Sequence, residues 1–335
     1  MSKKTKVNLS EVASAAGVSK MTASRVLRNA DGFSEDTKQK VLKEVRRLGY
    51  VPNRIAATFG SEQTSTIIGV CVPYLSSNLF GTVLDSINGA LSKFGYQTMI
   101  GSHENSAATE EAWVKNILSW RPAGVILSSG THTATTVELL KAQGIPVVEI
   151  WNLNTSPIDI SVGFNHFDCG KEMATYILSK GRKNVAYIGA DANSPGMGVA
   201  RLAGFESELN SSNIKLKTKE NLIDRPGFYA GFYGTETILN RDPLIDAIYY
   251  QDDAMAIGGL FYCKSKGINV PEDISIAGWG NMEAASILPK RLTTTIVETQ
   301  ALGKVASDSL MARIKGEPVK DVIIAPTRLA PGGTV

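Results

Sequence analysis

Residues 9–28 read Leu9-Ser10-Glu11-Val12-Ala13-Ser14-Ala15-Ala16-Gly17-Val18-Ser19-Lys20-Met21-Thr22-Ala23-Ser24-Arg25-Val26-Leu27-Arg28. Asn8 before this stretch is a helix cap, and Glu11, three residues on, completes a capping-box pattern. Leu9, Val12, Ala13 and Ala16 then recur at i, i+3, i+4 and i+7, the period of a helix with one buried face. Gly17 suits the left-handed residue that ends such a helix. Ser19 caps a second helix, in which Ala23, Val26 and Leu27 point inward while Lys20, Met21, Ser24, Arg25 and Arg28 share the outer face. Two short helices on a tight glycine turn, with alanines allowing close approach, predict a helix-turn-helix. Its second helix is the one that enters a major groove, N-terminal residues near the base edges.

A third helix follows. Ser34 caps it, Glu35 and Asp36 complement its N-terminus, Val41, Val45 and Leu48 form its stripe, and Gly49 ends it. Residues 50–60, Tyr-Val-Pro-Asn-Arg-Ile-Ala-Ala-Thr-Phe-Gly, form a helix-capable linker, and the polar run 61–65 comes after it. Phe59 on this linker has two readings, packing on the body or wedging into a minor groove. On the residues alone packing is the simpler.

Charge separates the same segment from the rest. Residues 1–60 hold twelve basic and five acidic side chains, a balance of +7; the remaining 275 hold 23 and 27, a balance of −4. A polyanion-binding head on a mildly acidic body is the reading. With 43% hydrophobic and 20% charged residues the body can bury a large core. No apolar stretch approaches a membrane span, and no apolar segment follows the basic start, so a cytoplasmic protein is expected. Cys71, Cys169 and Cys263 are far apart and never spaced as C-x-x-C, which reads as reduced thiols. The isolated His103, His132 and His166 give no metal-ligand spacing.

From Ile67 short apolar runs alternate with amphipathic stretches. Strands are expected at Ile67–Val72, Gly124–Leu127, Val147–Ile150, Val185–Gly189, Ala247–Tyr250 and Ile274–Gly278. Helices are expected at Leu79–Phe94, Ala112–Trp120, Thr135–Gln143, Lys171–Lys180, Arg201–Leu209, Gly231–Leu239, Met255–Lys266 and Thr299–Lys315. The alternation predicts parallel sheets covered on both faces, and the length fits two doubly wound lobes.

Parallel α/β sheets bind ligands beyond the C-terminal ends of their strands. That selects Tyr74–Phe80, Ser128–His132, Trp151–Asn152, Ala190–Asp191, Gln251–Asp253 and Trp279–Asn281. Aromatic faces, amides and carboxylates in this set suit a hydroxyl-rich small molecule. Each has a plainer reading too: Asp252-Asp253 as helix caps, Arg201 paired with Glu206 or Glu208, His132 as a polar loop residue. Gly196-Met197-Gly198 lacks the full dinucleotide fingerprint, and no phosphate loop, G-x-S-x-G or nucleophile–base pair appears. No enzyme and no cofactor are expected.

The run Glu11-Val12-Ala13, Ala16-Gly17-Val18-Ser19, Thr22-Ala23-Ser24-Arg25-Val26-Leu27 and Gly49-Tyr50-Val51-Pro52-Asn53 resembles the lactose-repressor (LacI/GalR) family. The resemblance continues through Ile68-Gly69-Val70, Asp253, Ala256-Ile257-Gly258 and Pro271-Glu272-Asp273-Ile274-Ser275-Ile276-Ala277-Gly278, and so covers nearly the whole chain. Lys20-Met21-Thr22, Leu118-Ser119-Trp120, Thr131-His132-Thr133, Ile145-Pro146-Val147-Val148-Glu149, Val162-Gly163-Phe164 and Pro331-Gly332-Gly333 look closer to its gluconate-utilisation branch.

The resemblance implies a helix-turn-helix head (1–50), a hinge helix and linker (51–65) and a type I periplasmic-binding-protein-like body (66–335). The body's N-lobe would take about 66–162 and 293–323, its C-lobe about 163–292 and 324–335. It implies base reading by Lys20, Met21 and Arg25, backbone contacts by Thr22, Ser24 and Asn53, and a minor-groove wedge at Phe59 where the family usually has leucine. It makes Arg201 the ligand-contacting arginine, joined by Tyr74, Phe80, Ser128, His132, Trp151, Asn165, Asp252, Trp279 and Asn281 as candidate effector contacts. Gly280-Asn281 replaces an aspartate pair, which favours an anionic sugar acid such as gluconate; Asp252, where an asparagine is usual, cuts against that unless it binds a distant hydroxyl. Arg225 is a second, unassigned cation. The chain lacks the tetramerising leucine repeat, so a homodimeric repressor released from duplex operator DNA by a small sugar acid is expected. A solute receptor predicts a signal peptide and no basic head; a sugar-acid enzyme predicts a nucleophile, metal cluster or phosphate loop.

Overall fold

Asn8 opens helix α1 (Leu9–Ala15) with both halves of a capping box: the Glu11 amide donates to Asn8 Oδ1, and the Asn8 amide to Glu11 Oε2. Gly17 at φ +68° turns the chain into α2 (Lys20–Leu27), whose Thr22 amide donates to Ser19 Oγ. Ser34 caps α3 (Glu35–Leu48), and Gly49 ends it at φ +64°. Val12, Ala13, Ala23, Val26 and Val41 close the core of this three-helix unit. Leu27, expected inward, is half-buried. The computed structural model describes residues 7–27, 31–51, 65–128, 130–189, 198–220 and 227–335. Arg28, Asn53, Phe59, Ala190–Asp191 and Arg225 lie outside the described residues. The chain divides into two units at Ser65 and Thr66.

The second unit begins with β1 (Ile67–Val72), a continuous apolar run buried along nearly its whole length, as a strand covered on both faces must be. The chain continues through α4 (Asn78–Ser92), β2 (Gln97–Ser102), α5 (Ala107–Ser119), β3 (Gly124–Leu127), α6 (Ala134–Gln143), β4 (Val147–Asn152) and β5 (Ile160–Phe164). With β11 (Val322–Ile324) these strands make one parallel sheet in the order β11-β5-β4-β3-β1-β2. On one face Phe80, Val83, Ile87 and Leu91 of α4 join Leu302, Ala306 and Leu310 of α12 (Thr299–Ile314); on the other, Val114 of α5 and Leu140 of α6 pack on Val125 and Leu127.

After β5 the chain builds a second sheet from α7 (His166–Ser179), β6 (Val185–Ile188), α8 (Val199–Ser211), β7 (Thr218–Glu220), α9 (Phe228–Arg241), β8 (Ala247–Tyr250), α10 (Asp253–Lys266) and β9 (Ser275–Ala277). Its parallel order is β7-β6-β8-β9. A short helix, α11 (Glu283–Ser286), leads to β10 (Thr294–Val297), which pairs antiparallel with β12 (Thr327–Ala330). The expected helices are all present, longer by a few residues at several ends. β2, β5, β7, β10, β11 and β12 are strands that the apolar pattern does not announce. The three cysteines are free and buried. No helix among the described residues is long and apolar enough to cross a membrane.

Candidate functional site

In the helical unit, α2 turns Lys20, Met21 and Arg25 to solvent, while Ala23 and Val26 anchor it from behind. Met21 is 66% exposed, an uncommon position for an apolar side chain. Ser19 holds the first turn twice, since its Oγ also lies 2.8 Å from Thr22 Oγ1. The Arg25 guanidinium lies against Gly32, where an added Cβ would stand 3.4 Å from Nη1. Ser24 is half-buried on the same helix. Five of the expected DNA contacts, Lys20, Met21, Thr22, Ser24 and Arg25, thus lie within the first six residues of one helix.

In the body, the strand ends bring aromatic rings together from both sheets. Trp151 near the end of β4 packs against Phe80 of α4 in a tilted pair at 4.6 Å and meets Phe164, the last residue of β5, at 5.6 Å. Its edge reaches Trp279, just beyond β9 in the second sheet, at 5.7 Å. Trp151 takes φ +84°, a left-handed conformation rare for a bulky side chain. His166, the first residue of α7, sits 5.2 Å from Trp279. Arg201 of α8 closes the box: its Cζ stands 4.1 Å over the Trp279 ring, a cation–π contact.

Arg201 is 2% exposed, and among the described residues no carboxylate forms a salt bridge with it. Its Nη1 donates to His166 Nδ1 at 2.9 Å and its Nη2 to the Gln251 carbonyl at 2.6 Å. Burial, and then the neighbouring guanidinium charge, push the His166 pKa down to about 3 against an opposing Trp151 backbone contact. Arg201 Nε, His166 Nε2, Trp151 Nε1 and Trp279 Nε1 are buried with no hydrogen-bond partner among the described residues. Buried polar groups are nearly always satisfied, so these four orphans around one ring cluster, with the unpartnered Tyr187 and Tyr249 hydroxyls near Arg201, make it the candidate ligand site.

The other candidates divide. Asp252 caps α10, its Oδ1 accepting from the Met255 amide, so capping is its structural role; burial raises its pKa, and Arg201 lies close enough to oppose that. Asp253 is a buried strut that accepts from Thr294 Oγ1 at 2.6 Å and the Met282 amide at 2.7 Å. Burial lifts its pKa to about 7 against those two hydrogen bonds. Asn281, at φ +57°, is exposed beside Trp279. Tyr74 is 43% exposed and accepts from Asn105 Nδ2, outside the ring cluster.

Three candidates serve other structures. Ser128 is buried and donates to the Cys71 carbonyl, 3.5 Å from His103 Nε2. His132 is clamped between two carboxylates that are themselves fully buried, Glu110 Oε1 at 2.5 Å and Glu149 Oε1 at 3.2 Å. Asn165 caps α7 and binds Asp168, facing a groove of about 370 Å³ lined by Cys169, Glu172 and residues 324–327. Arg201 pairs with neither Glu206 nor Glu208; those carboxylates bind Lys219 and Lys171.

The residues that sequence reasoning missed are His166 and Phe164; Gln251, selected as a strand-end residue, takes part through its backbone carbonyl. Their signal was available: Ile160–Phe164 is a strand interrupted by Ser161 and Gly163, and had it been read as one, its end would have pointed to His166.

Two family profiles match the chain. "Bacterial regulatory proteins, lacI family" covers residues 8–53, and "Periplasmic binding proteins and sugar binding domain of LacI family" covers residues 65–331. The HTH-type transcriptional regulator GntR of Escherichia coli K12 is 32% identical, with 99% of this chain and 100% of that protein aligned. The regulator of that name from Pseudomonas aeruginosa is also 32% identical, over 93% of this chain and 91% of its own. Among solved structures, a LacI-family regulator from Silicibacter pomeroyi superposes with TM-score 0.91 at 33% identity, covering 98% and 99% of the two chains. The lac repressor dimer bound to operator and the anti-inducer ONPF superposes with TM-score 0.85 at 25% identity, covering 98% and 99%. With a helix-turn-helix unit followed by a body of two parallel sheets, and both family profiles matched in that order, the chain belongs to the LacI family of bacterial transcriptional regulators.

Proposed function

We propose that this protein is a cytoplasmic repressor of sugar-acid catabolism genes, holding a near-palindromic operator as a homodimer and released by gluconate or a close relative. Arg201 carries the effector part of this reading. A guanidinium buried at 2% exposure without a carboxylate partner among the described residues is costly, and an anionic ligand offsets that cost where a neutral sugar does not. Trp279 and Trp151 offer ring faces to the C–H surface of a sugar chain, while Asp252 offers an acceptor for a hydroxyl.

The DNA part rests on α2. Arg25 makes a bidentate pair with a guanine, Lys20 contacts a base or phosphate, and exposed Met21 packs on a thymine methyl group. Asn53 and Phe59 complete it from the hinge, as backbone contact and minor-groove wedge. The lobe boundaries near residues 163, 292 and 324 put Trp151 and Trp279 on opposite lobes. A ligand lodged between those rings replaces their direct contact and so changes how the lobes meet. Release follows only if the ligand binds the DNA-free arrangement better than the DNA-bound one.

The test is operator binding by fluorescence anisotropy on a duplex selected from random sequence. Millimolar gluconate should weaken the wild-type complex at least tenfold and glucose should not. Arg201→Ala should keep operator affinity and lose the gluconate response. A wild-type complex that gluconate leaves unchanged refutes the effector assignment. One that it tightens reverses the sign, making the ligand a corepressor.

A further inference from the structure

Trp279 reaches the aromatic box from a segment that is pinned along its backbone. The Gly278 amide donates to the Thr293 carbonyl and the Gly280 amide to the Thr295 carbonyl, both at 2.9 Å. Residues 277–280 thereby run beside the start of β10, and Ala277 makes a parallel bridge with Thr293. The Trp279 carbonyl accepts from the Asp253 amide at 3.0 Å. The buried Asp253 carboxylate then holds segment and strand at once, with Oδ2 on the Met282 amide and Oδ1 on the Thr294 hydroxyl. Gly278 makes room for it, because a Cβ there would overlap Oδ1.

β10 leads straight to the other sheet. The strand ends at Val297 and α12 starts at Thr299, with Glu298 between them. Leu302, Ala306 and Leu310 of that helix pack into the core of the first sheet. The Trp279 ring also meets Trp151 of the first sheet directly, at 5.7 Å. One residue therefore begins two routes between the sheets, one through ring contact and one through the chain. A ligand that parts the two rings loads the second route only if the Trp279 segment cannot yield by itself. With the Asp253–Thr294 bond made, the segment moves with β10; without it, the segment can shift alone.

Resting on the sugar-acid reading above, we propose that Asp253, through Thr294, is a positioning residue for effector release: it joins the Trp279 segment to β10, so that displacement of Trp279 is passed to α12 and the first sheet. Asp253 acts through Trp279 and β10, so its bonds set how strongly ligand binding and operator release are coupled, and not how tightly the ligand binds.

The test uses the full chain on the selected operator duplex, with saturating sodium gluconate as the probe. Wild type should lose at least about tenfold in operator affinity when it is added. Thr294→Val keeps the shape of threonine and removes the hydroxyl. It should bind gluconate within about threefold of wild type in calorimetry, yet be released less than about threefold. Thr294→Ser restores the hydroxyl and should restore the full release. A folded Thr294→Val with full release at saturation, whatever its gluconate affinity, overturns the coupling role and leaves the sugar-acid reading standing.

Amide hydrogen exchange on the same proteins needs no ligand. In wild type residues 278–282 and 294–297 should open together. In Thr294→Val residues 278–282 should exchange at least about tenfold faster while 294–297 keep the wild-type rate. Separate opening in wild type overturns the proposal, and so do unchanged rates or an equal acceleration of both segments in Thr294→Val. Wild type that gluconate does not release overturns the sugar-acid reading, and exchange then decides whether Asp253 joins the segment to β10.

Discussion

His132 shows how much one buried side chain can organise. It stands on the segment after β3, yet its partners come from α5 (Glu110) and β4 (Glu149), and Glu149 also accepts from Asn154 Nδ2 and the Ile158 amide. Burial alone would pull its pKa down, but the hydrogen bonds to Glu110 and Glu149 outweigh it and push the value up to about 9. A folded-state pKa above the unfolded one means the stabilisation is complete below about pH 6.5 and fades as pH rises through about 9. Denaturant unfolding of wild type and His132→Gln should therefore differ by about 2–3 kcal/mol at pH 6 and converge above pH 9.5. A gap that stays constant with pH would show that the imidazole is not charged there. The sequence placed His132 at a strand end, where a ligand contact was one reading. Its two carboxylates are 22 and 17 residues away, and nothing in residue spacing announces that they are buried around it. Arg201 and Trp279 were legible because the first matches the family's ligand arginine and the second ends an obvious apolar run. His166 was hidden behind an interrupted strand.

At the scale of elements, two helix pairs of the second sheet meet backbone to backbone through reciprocal glycines. A Cβ on Gly170 of α7 would overlap the Arg201 carbonyl of α8, and one on Gly204 of α8 would overlap the Phe167 carbonyl of α7. Gly231 of α9 and Gly258 of α10 repeat the arrangement against Met255 and Phe228. The first pair fixes the height of Arg201 relative to His166, since both side chains leave those two helices beside the contact. Gly204→Ala should cost about 2 kcal/mol or more, as overpacking against rigid backbone does, and should blunt the gluconate response as well. Gly89→Ala is the control: Gly89 is exposed within α4 with open space at its Cβ, so alanine should add about 0.5–1 kcal/mol of stability. Equal effects of the two substitutions would show that helix propensity rather than contact governs Gly204. The helices were legible from their periodicity and caps, and β1, β3 and β8 to the residue, because each is a short unbroken apolar run. β2 reads Gln-Thr-Met-Ile-Gly-Ser and is half exposed at the sheet edge, while β7, β11 and β12 have three or four residues each. Strands of that kind exist because a neighbour pairs with them, and local sequence does not carry that information.

For the whole molecule, the division of charge is the property that decides how DNA is held. The first sixty residues have a balance of +7 and the remainder −4, so the acidic body should add nothing to non-specific attraction for a polyanion. On the proposed dimer, two heads that each neutralise several phosphates predict a log–log salt dependence of operator affinity with a slope of roughly −5 to −9. Lys20 and Arg25 then separate by what they touch. Lys20→Gln should shift that slope by about +1 and weaken operator and random duplex alike if its partner is a phosphate. Arg25→Ala should cost about 1–3 kcal/mol on the operator, leave random DNA nearly unchanged and relax selection at one base pair. The comparison also isolates the body, because residues 66–335 without the head should retain gluconate binding and show no salt-dependent affinity for duplex DNA. A near-zero slope for the full chain would mean that the basic head does not work through phosphates at all. A body that held DNA with the slope of the full chain would move the interface away from α2.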